Sequence, residues 1–190
     1  MGSLSQRIEP ALSSVLCSLL FFAFCNSVRA DEANLRSLYD GHRKTSSDFT
    51  IAVASAMPAE GYTFPPVPEE MTFGELMAHI AALDRNSCAN ASGLTLPALP
   101  AKIEEWVKDT VKVEVDRETA IQFTKDSFGF CYKAITEMPM SRMDSVVGPP
   151  KRSLTGSEWL WSYFTHTAHH RGQAEVYLRL KGIKPPEYMF

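Results

Sequence analysis

Long stretches with apolar residues at three- and four-residue spacing alternate along the chain with proline-rich segments. In one stretch Phe73, Leu76, Ile80 and Leu83 recur at this spacing, which is typical of one face of an amphipathic helix. Three prolines fall between positions 65 and 68, and proline interrupts a helix because it lacks a backbone N–H and clashes with the preceding turn. With no convincing run of alternating strand residues and no internal repeat, the pattern predicts an all-α fold.

Four long helices are expected from this periodicity and from residues that start and stop helices. Thr72 with Glu75, and Thr155 with Glu158, have the spacing of a capping box, in which two side chains bond each other's backbone N–H groups. Gly182 is a stop signal after the last helix. The long helices are expected at 31–56, 72–91, 116–138 and 155–181, with a short helix at 102–111 and an irregular loop at 139–153. Four such helices predict a four-helix bundle.

The segment 1–30 differs from the rest of the chain. An apolar stretch without charge, residues 11–25, follows Arg7, and small residues at 28 and 30 suit a cleavage site. This pattern predicts a signal peptide cleaved after Ala30, a domain at 31–190 and an exported protein, periplasmic or secreted, with no stable membrane span. A retained membrane anchor is the alternative, because the length criterion for a bilayer span is soft.

Size and charge narrow the class of protein. A chain of 190 residues, 45% hydrophobic and 22% charged, suits one globular domain rather than a disordered or fibrous protein. Its 19 basic and 22 acidic residues are scattered, without a Lys/Arg block. Phosphate backbones are bound by clustered basic side chains, so we expect no nucleic-acid partner.

Two cysteines, Cys88 and Cys131, lie outside the predicted signal peptide. Their spacing does not match a zinc site. An exported protein can join two cysteines in a disulfide, and two separate buried thiols are equally compatible with the sequence.

The histidines are the most informative side chains chemically. His166 and His170 are one helical turn apart and share a face, and that face carries Trp159 and Tyr163 at the same spacing. His79 lies at the edge of the apolar face of the second helix. These three histidines are therefore expected to point into the core.

A buried imidazole without a partner costs roughly 1–3 kcal/mol. Three rings that converge on a divalent ion satisfy their nitrogens and leave a coordination position open. From periodicity alone, core histidines that are hydrogen-bonded individually are an equal alternative to this metal site.

Two segments resemble a known family. The string from His166 to Gln173, HTAHHRGQ, and the segment Thr72–His79 look like the HxxxHRGQ helix and the second-helix context of the DinB/YfiT-like metalloenzymes. The resemblance implies a four-helix bundle in which His79, His166 and His170 bind one metal ion. It carries over no ligand role to His42 or His169.

The other residues of the motif suggest roles around the metal site and in helix packing. Arg171 suits either a helix–helix contact or an anionic group of a substrate, with the structural role favoured. Gln173 is expected to orient a ligand ring, and Gly172 is expected to allow close packing of a neighbouring helix. His169 is expected in a supporting position or at the surface. Four aromatic residues are expected in the core: Trp159, Trp161, Tyr163 and Phe164.

The resemblance also implies a reaction class, because the wider superfamily includes thiol-dependent S-transferases and a thiol-dependent isomerase. We expect a metal-dependent enzyme that activates a thiol or water against a small-molecule substrate, with zinc favoured and nickel, iron or manganese compatible. Export argues against a cytosolic thiol and keeps hydrolysis as a candidate. The alternative is a non-catalytic metal-binding or ligand-binding bundle, or a stress-associated interaction protein. Whether the chain forms a homodimer is left open by the sequence.

Overall fold

The computed structural model describes residues 34–108 and 113–189, and this part of the chain is predominantly helical. The predicted signal segment 1–30 and its cleavage site, and the end of the predicted short helix at Val111, lie outside the described residues. The helices are α1 (residues 34–56), α2 (Phe73–Ser92), α3 (Ala101–Lys108), α4 (Arg117–Glu137), α5 (Ser141–Asp144) and α6 (Gly156–Leu180), and a 3-10 turn covers Ala59–Gly61.

The chain divides into two units, Met1–Leu38 and Tyr39–Phe190. The described part of the first unit, residues 34–38, is helical. All packing described below lies within the second unit. In the described residues, no helix has both the length and the apolar content that crossing a bilayer requires.

Side-chain caps determine where α2, α4 and α6 begin. Thr72 and Glu75 form a complete capping box at the start of α2, and Thr155 and Glu158 form the same motif at α6. The carboxylate of Asp116 accepts a backbone N–H in the first turn of α4. Each cap satisfies N–H groups that a helix start leaves without partners. Both capping boxes predicted from the sequence are confirmed.

Residues from α1, α2, α4 and α6 share one hydrophobic core, in which α2 packs against both α4 and α6. Burying apolar side chains in this way contributes about 1.5–3 kcal/mol for each large one. The largest contributors on these helices are Phe49, Phe73, Leu76, Met77, Ile80, Phe123, Tyr177 and Leu178.

Leu83 and Trp161, which the sequence pattern placed on the apolar face of a helix or in the core, are exposed, and so are Leu38 on α1 and Tyr132 on α4. Trp161 is 67% exposed because it follows the buried Trp159 by two residues, which turns it to the opposite side of α6. Tyr132 lies one residue beyond the buried Cys131, with the Arg43 guanidinium 4.7 Å from its ring centre. Leu38 lies one turn before the exposed His42, and Leu83 borders a cavity described below.

The segment 139–153, predicted to be an irregular loop, contains short regular elements. Besides α5, strand β1 (Val146–Val147) pairs antiparallel with β2 (Leu154–Thr155). The turn between them contains Gly148 at φ 100°, a backbone conformation that side chains disfavour. Trp159 donates from its indole N–H to the carbonyl of Val147 at 3.2 Å and so attaches the pair to α6.

A disulfide between Cys88 and Cys131 joins α2 to α4. The Cα atoms are 5.3 Å apart, and both residues are fully buried beside Phe128, Ala134 and Tyr163. Of the two alternatives open at the sequence level, the structure has the bridged pair.

Reduction of this disulfide is expected to lower the free energy of unfolding by about 2–4 kcal/mol, because the bridge closes a long loop and so restricts the unfolded chain. Urea unfolding with and without reductant measures the change. A Cys88→Ala/Cys131→Ala double variant is the control, because its unfolding curve should not respond to reductant. An identical midpoint for reduced and oxidised wild type would contradict this prediction.

Candidate metal centre

Three histidines from two helices meet at one point. His79 comes from α2, and His166 and His170 come from successive turns of α6. Nε2 of His79 lies 3.2 Å from Nε2 of His170 and 3.3 Å from Nε2 of His166. One nitrogen of each ring lies within 4.8 Å of the others. The structure thus brings together the three residues that the sequence singled out, and we call them the three-histidine cluster.

The spacing within the cluster fits a divalent ion. Nitrogen ligands about 2.0–2.1 Å from a tetrahedral zinc ion lie roughly 3.3 Å from one another, which matches the two short distances in the cluster. The rings are half-buried rather than sealed in the core. The cluster can therefore hold a metal ion, with imidazole nitrogens as its ligands.

A buried carboxyl group orients His166. Oδ1 of Asp84 lies 3.2 Å from Nδ1 of His166, and Oδ2 accepts the Thr167 hydroxyl at 2.6 Å. Asp84 has no exposed surface. When the Nδ1–H of His166 donates to this carboxylate, its Nε2 carries the lone pair that faces the cluster.

A second hydrogen bond orients His170. Its Nδ1 lies 2.6 Å from the side-chain oxygen of Gln173, one turn along α6, so Nδ1 donates and Nε2 keeps a lone pair. The expectation that Gln173 orients a ligand ring agrees with this contact. His166 and His170 thus each have a partner on the ring nitrogen that faces away from the cluster.

The surroundings keep the imidazoles neutral. Burial, followed by the neighbouring His170 and His166, lowers the pKa of His79 to about 4. Burial, with smaller effects of His169 and Arg152, lowers the pKa of His166 to about 4. The pKa of His170 is also lowered, again mainly by burial. Only a neutral imidazole has a lone pair for a metal, so the site keeps its ligand form well below neutral pH.

Asp84 titrates in the opposite sense. Burial raises the pKa of its carboxyl well above the usual range, although the Thr167 hydroxyl and Arg171 act against the shift. A positive charge at the cluster would favour the carboxylate form of Asp84. The buried carboxyl group therefore complements a cation bound by the histidines.

Other residues of the motif have different positions. His169 is exposed, and its ring packs edge-on against His170. His42 is exposed and packs against Phe164. Gly172 is also exposed, and a side chain added there would meet nothing within 4 Å, so the expectation that Gly172 allows close helix packing is wrong.

Arg171 attaches α6 to α1. Its guanidinium lies 4.6 Å from the ring centre of Phe49 and donates to the hydroxyl groups of Ser46 and Thr50 at 3.2 and 3.4 Å. The residue is buried. These contacts agree with the favoured structural role rather than with binding of a substrate anion.

A cavity of about 510 Å³ lies beside the cluster, with His79 in its wall. Its other walls come from α2, which contributes Arg85 and Asn86, from α3 and from the segment 96–99. A volume of this size is typical of small-molecule sites. The cluster therefore has one side from which a small molecule can approach.

Sequence reasoning missed Asp84 and Arg85. Asp84 follows Ile80 by one turn and so interrupts the apolar stripe of α2 with a carboxyl group. Charged side chains are almost never fully buried without a partner, and this interruption was the available signal. For Arg85 no comparable signal exists, because its burial depends on the segment that covers it.

Comparison with known proteins agrees with this fold. The family profile described as the DinB superfamily matches residues 44–174, more than half of the chain. A search of curated proteins finds no match.

Solved structures of DinB-like proteins have a similar fold. One from Bacillus subtilis has a TM-score of 0.62 at 18% identity, covering 80% of this chain and 97% of its own. One from Bacillus cereus has a TM-score of 0.64 at 18% identity, covering 78% of this chain and 94% of its own. One from Exiguobacterium sibiricum, described as of the DinB family, has a TM-score of 0.60 at 18% identity, covering 82% and 97%.

The Asp84→Asn variant is expected to bind zinc about 10–100-fold more weakly, because an amide cannot match the charge and the acceptor geometry that orient His166. Competition with a chromophoric chelator measures the affinity. Asp126→Asn removes an equal charge from an exposed position on α4 and should bind zinc like the wild type. Equal affinities for Asp84→Asn and wild type would contradict the role of this carboxyl group.

Stability of the protein stripped of metal with a chelator should fall as the pH drops from about 6.5 to 4. In this pH window His79 and His166 bind protons in the unfolded chain but stay neutral in the folded protein, because folding lowers their pKa values to about 4. The unfolded state therefore binds more protons, and acid favours unfolding. The raised pKa of Asp84 acts in the opposite direction and offsets part of this slope. Urea unfolding at a series of pH values measures it. The slope should be smaller in His79→Gln than in the wild type, and equal slopes in the two proteins would count against the assignment.

Proposed function

The chain belongs to the DinB superfamily, and on this premise we propose that it is a metal-dependent enzyme acting on a small molecule. In this proposal α1, α2, α4 and α6 form a four-helix bundle, and His79, His166 and His170 bind one divalent ion, preferentially zinc. The reaction is the activation of a thiol or of water for transfer to, or hydrolysis of, the substrate.

One observation carries the proposal: Nε2 of His79 lies 3.2 and 3.3 Å from Nε2 of His170 and His166, and one nitrogen of each ring lies within 4.8 Å of the others. His166 and His170 each have a partner at Nδ1, which favours a lone pair on each Nε2. The His79 ring can donate a proton to one of these nitrogens but not to both. A cation satisfies all three, whereas hydrogen bonds between the rings leave one contact between two acceptors.

The number of ligands supports catalysis rather than a purely structural role. Structural zinc sites are usually closed by four protein ligands, whereas catalytic sites keep three and leave a position open. Three histidines form the only candidate cluster within residues 34–108 and 113–189, and a cavity lies beside them.

The protein side chains have distinct tasks in this proposal. Bound at such a site, a divalent ion acts as a Lewis acid that lowers the pKa of water or of a thiol. Asp84 and Gln173 hold the rings of His166 and His170 in place. Apolar walls beside His79 displace water and strengthen electrostatic interactions at the site.

The disulfide bears on location and on the choice of nucleophile. Disulfides persist mainly in oxidising compartments, so the Cys88–Cys131 bridge supports the proposal that the protein is exported. Outside the cytosol, cytosolic thiols are scarce in their reduced form, and only the reduced form could serve as a cosubstrate. Export therefore favours water over a cytosolic thiol as the nucleophile, while thiol transfer, which the wider superfamily that the sequence resembles includes, is the second candidate reaction.

A non-catalytic metal-binding or ligand-binding bundle is the second candidate. In that case the ion would stabilise the fold, and its removal would mainly lower the melting temperature.

Purified protein is expected to contain about one equivalent of divalent metal, because the part of the chain that the structure describes has one such cluster. Alanine variants of His79, His166 and His170 should each lose this metal, whereas His42→Ala and His169→Ala should keep it. Elemental analysis of the five variants beside the wild type makes the measurement. Circular dichroism is the control for folding, and metal retained in all three cluster variants would refute the site.

Measurements of turnover distinguish a catalytic metal site from a structural one. In a screen of ester, amide and thiol-transfer substrates, His170→Ala should lose turnover by at least about 100-fold, since the nucleophile is no longer activated. A structural site would instead give a metal-dependent melting temperature with no metal-dependent turnover of any substrate.

A further inference from the structure

The cavity beside His79 has a mostly apolar wall. Its apolar side chains include Leu83 from α2, Leu96 and Leu99 from the following segment, and Trp106 from α3. Leu83 and Leu96 are partly exposed at their positions on the protein surface. An apolar body is therefore the part of a ligand that this wall would bind most favourably.

Arg85 is the cationic side chain in this wall, and it is only 6% exposed. One of its terminal nitrogens donates to the backbone carbonyl of Pro97, and its guanidinium carbon lies 5.7 Å from the ring centre of Phe123. No carboxylate of residues 34–108 or 113–189 forms an ion pair with it. Burial lowers the pKa of this guanidinium, which is the sign of a cation held away from water without a compensating charge.

A buried charge without a partner is costly to the folded protein, and such charges are normally paired. A guanidinium has five N–H donors, and the carbonyl of Pro97 takes one of them. The remaining donors can form a bidentate contact with a planar anion, for which arginine is suited. Asn86, also in the cavity wall, adds an amide that can donate to the same anion.

We propose that the cavity binds a small carboxylic acid with an apolar body, and that Arg85 receives its carboxylate while the rest of the molecule extends along the apolar wall toward His79. This inference rests on the proposed function, in which the metal at the three-histidine cluster acts on a group of the same molecule. It assigns to Arg85 the binding of a substrate anion, which was one of the two roles that the sequence suggested for Arg171.

The test compares two probes of similar shape and different charge, 4-phenylbutanoate and 4-phenylbutanamide, by calorimetric titration of the zinc-loaded protein. The carboxylate should bind at least about 10-fold more tightly than the amide, as expected for a charge-assisted hydrogen-bonded pair. Arg85→Met should remove this preference and leave the affinity for the amide within about 2-fold, because the apolar wall is unchanged.

Two further variants control for folding and for charge. Arg142→Met removes an arginine that likewise donates to backbone carbonyls, those of Asn90 and Ala91, but that does not line the cavity, so it should keep the preference. Arg85→Gln keeps a donor for the carbonyl of Pro97 and replaces Arg85→Met if that variant does not fold. Loss of the preference in either Arg85 variant, with Arg142→Met unaffected, supports the inference.

Two results overturn it. One is a wild type that binds the two probes equally or binds neither. The other is a preference that persists without Arg85, which would place the carboxylate on the metal or elsewhere. Zinc content of the same samples separates this inference from the proposed function: protein that holds zinc but shows no preference overturns the inference alone, and protein that shows the preference without zinc overturns the proposed function alone.

Discussion

The central constraint on the site is that two helices hold three imidazole nitrogens close together, with Nε2 of His79 3.2 and 3.3 Å from Nε2 of His170 and His166, as two nitrogen ligands of one zinc ion would be. Lone pairs this close repel one another unless a proton or a cation lies between them. The one proton of a neutral His79 ring can lie toward only one neighbour, and a second proton on any ring is disfavoured because burial lowers the pKa of all three. The bonds from Asp84 and Gln173 then fix which nitrogen faces inward. A divalent cation is the occupant that suits this combination of charge, spacing and tautomer.

The scaffold around the cluster limits how far these rings can separate. Asp84 is fully buried on α2 and reaches both His166 and Thr167 on α6, so the two helices are joined by polar contacts as well as by apolar packing. One turn beyond Asp84, the Cys88–Cys131 bridge joins α2 to α4, and Arg171 joins α6 to α1. Ligand positions supported from several directions in this way can bind an ion without a large loss of side-chain entropy.

Local signals were enough to predict the long helices and the faces of the histidines, because capping boxes and periodicity involve residues three or four apart. That His79 would meet His166 came from resemblance, since the relative height of two helices depends on packing far along the chain. The position of Asp84 was recognisable locally, because a carboxyl group interrupts the apolar stripe of α2, but nothing in the sequence indicated its partner on α6. The burial of Arg85 was not recognisable, because the backbone at Pro97 that covers it is irregular. The exposure of Gly172 was missed for a related reason, because a sequence motif does not specify which neighbouring helix reaches it. The exposure of Trp161 was predictable, since its position two residues after Trp159 turns it to the other side of α6.

X-ray absorption spectroscopy of the zinc-loaded protein tests the central claim most directly, because it counts and identifies the ligands. The account predicts three imidazole nitrogens at about 2.0–2.1 Å and at least one further light-atom ligand from solvent. A coordination shell with fewer than three imidazoles, or one with sulfur at about 2.3 Å, would contradict it.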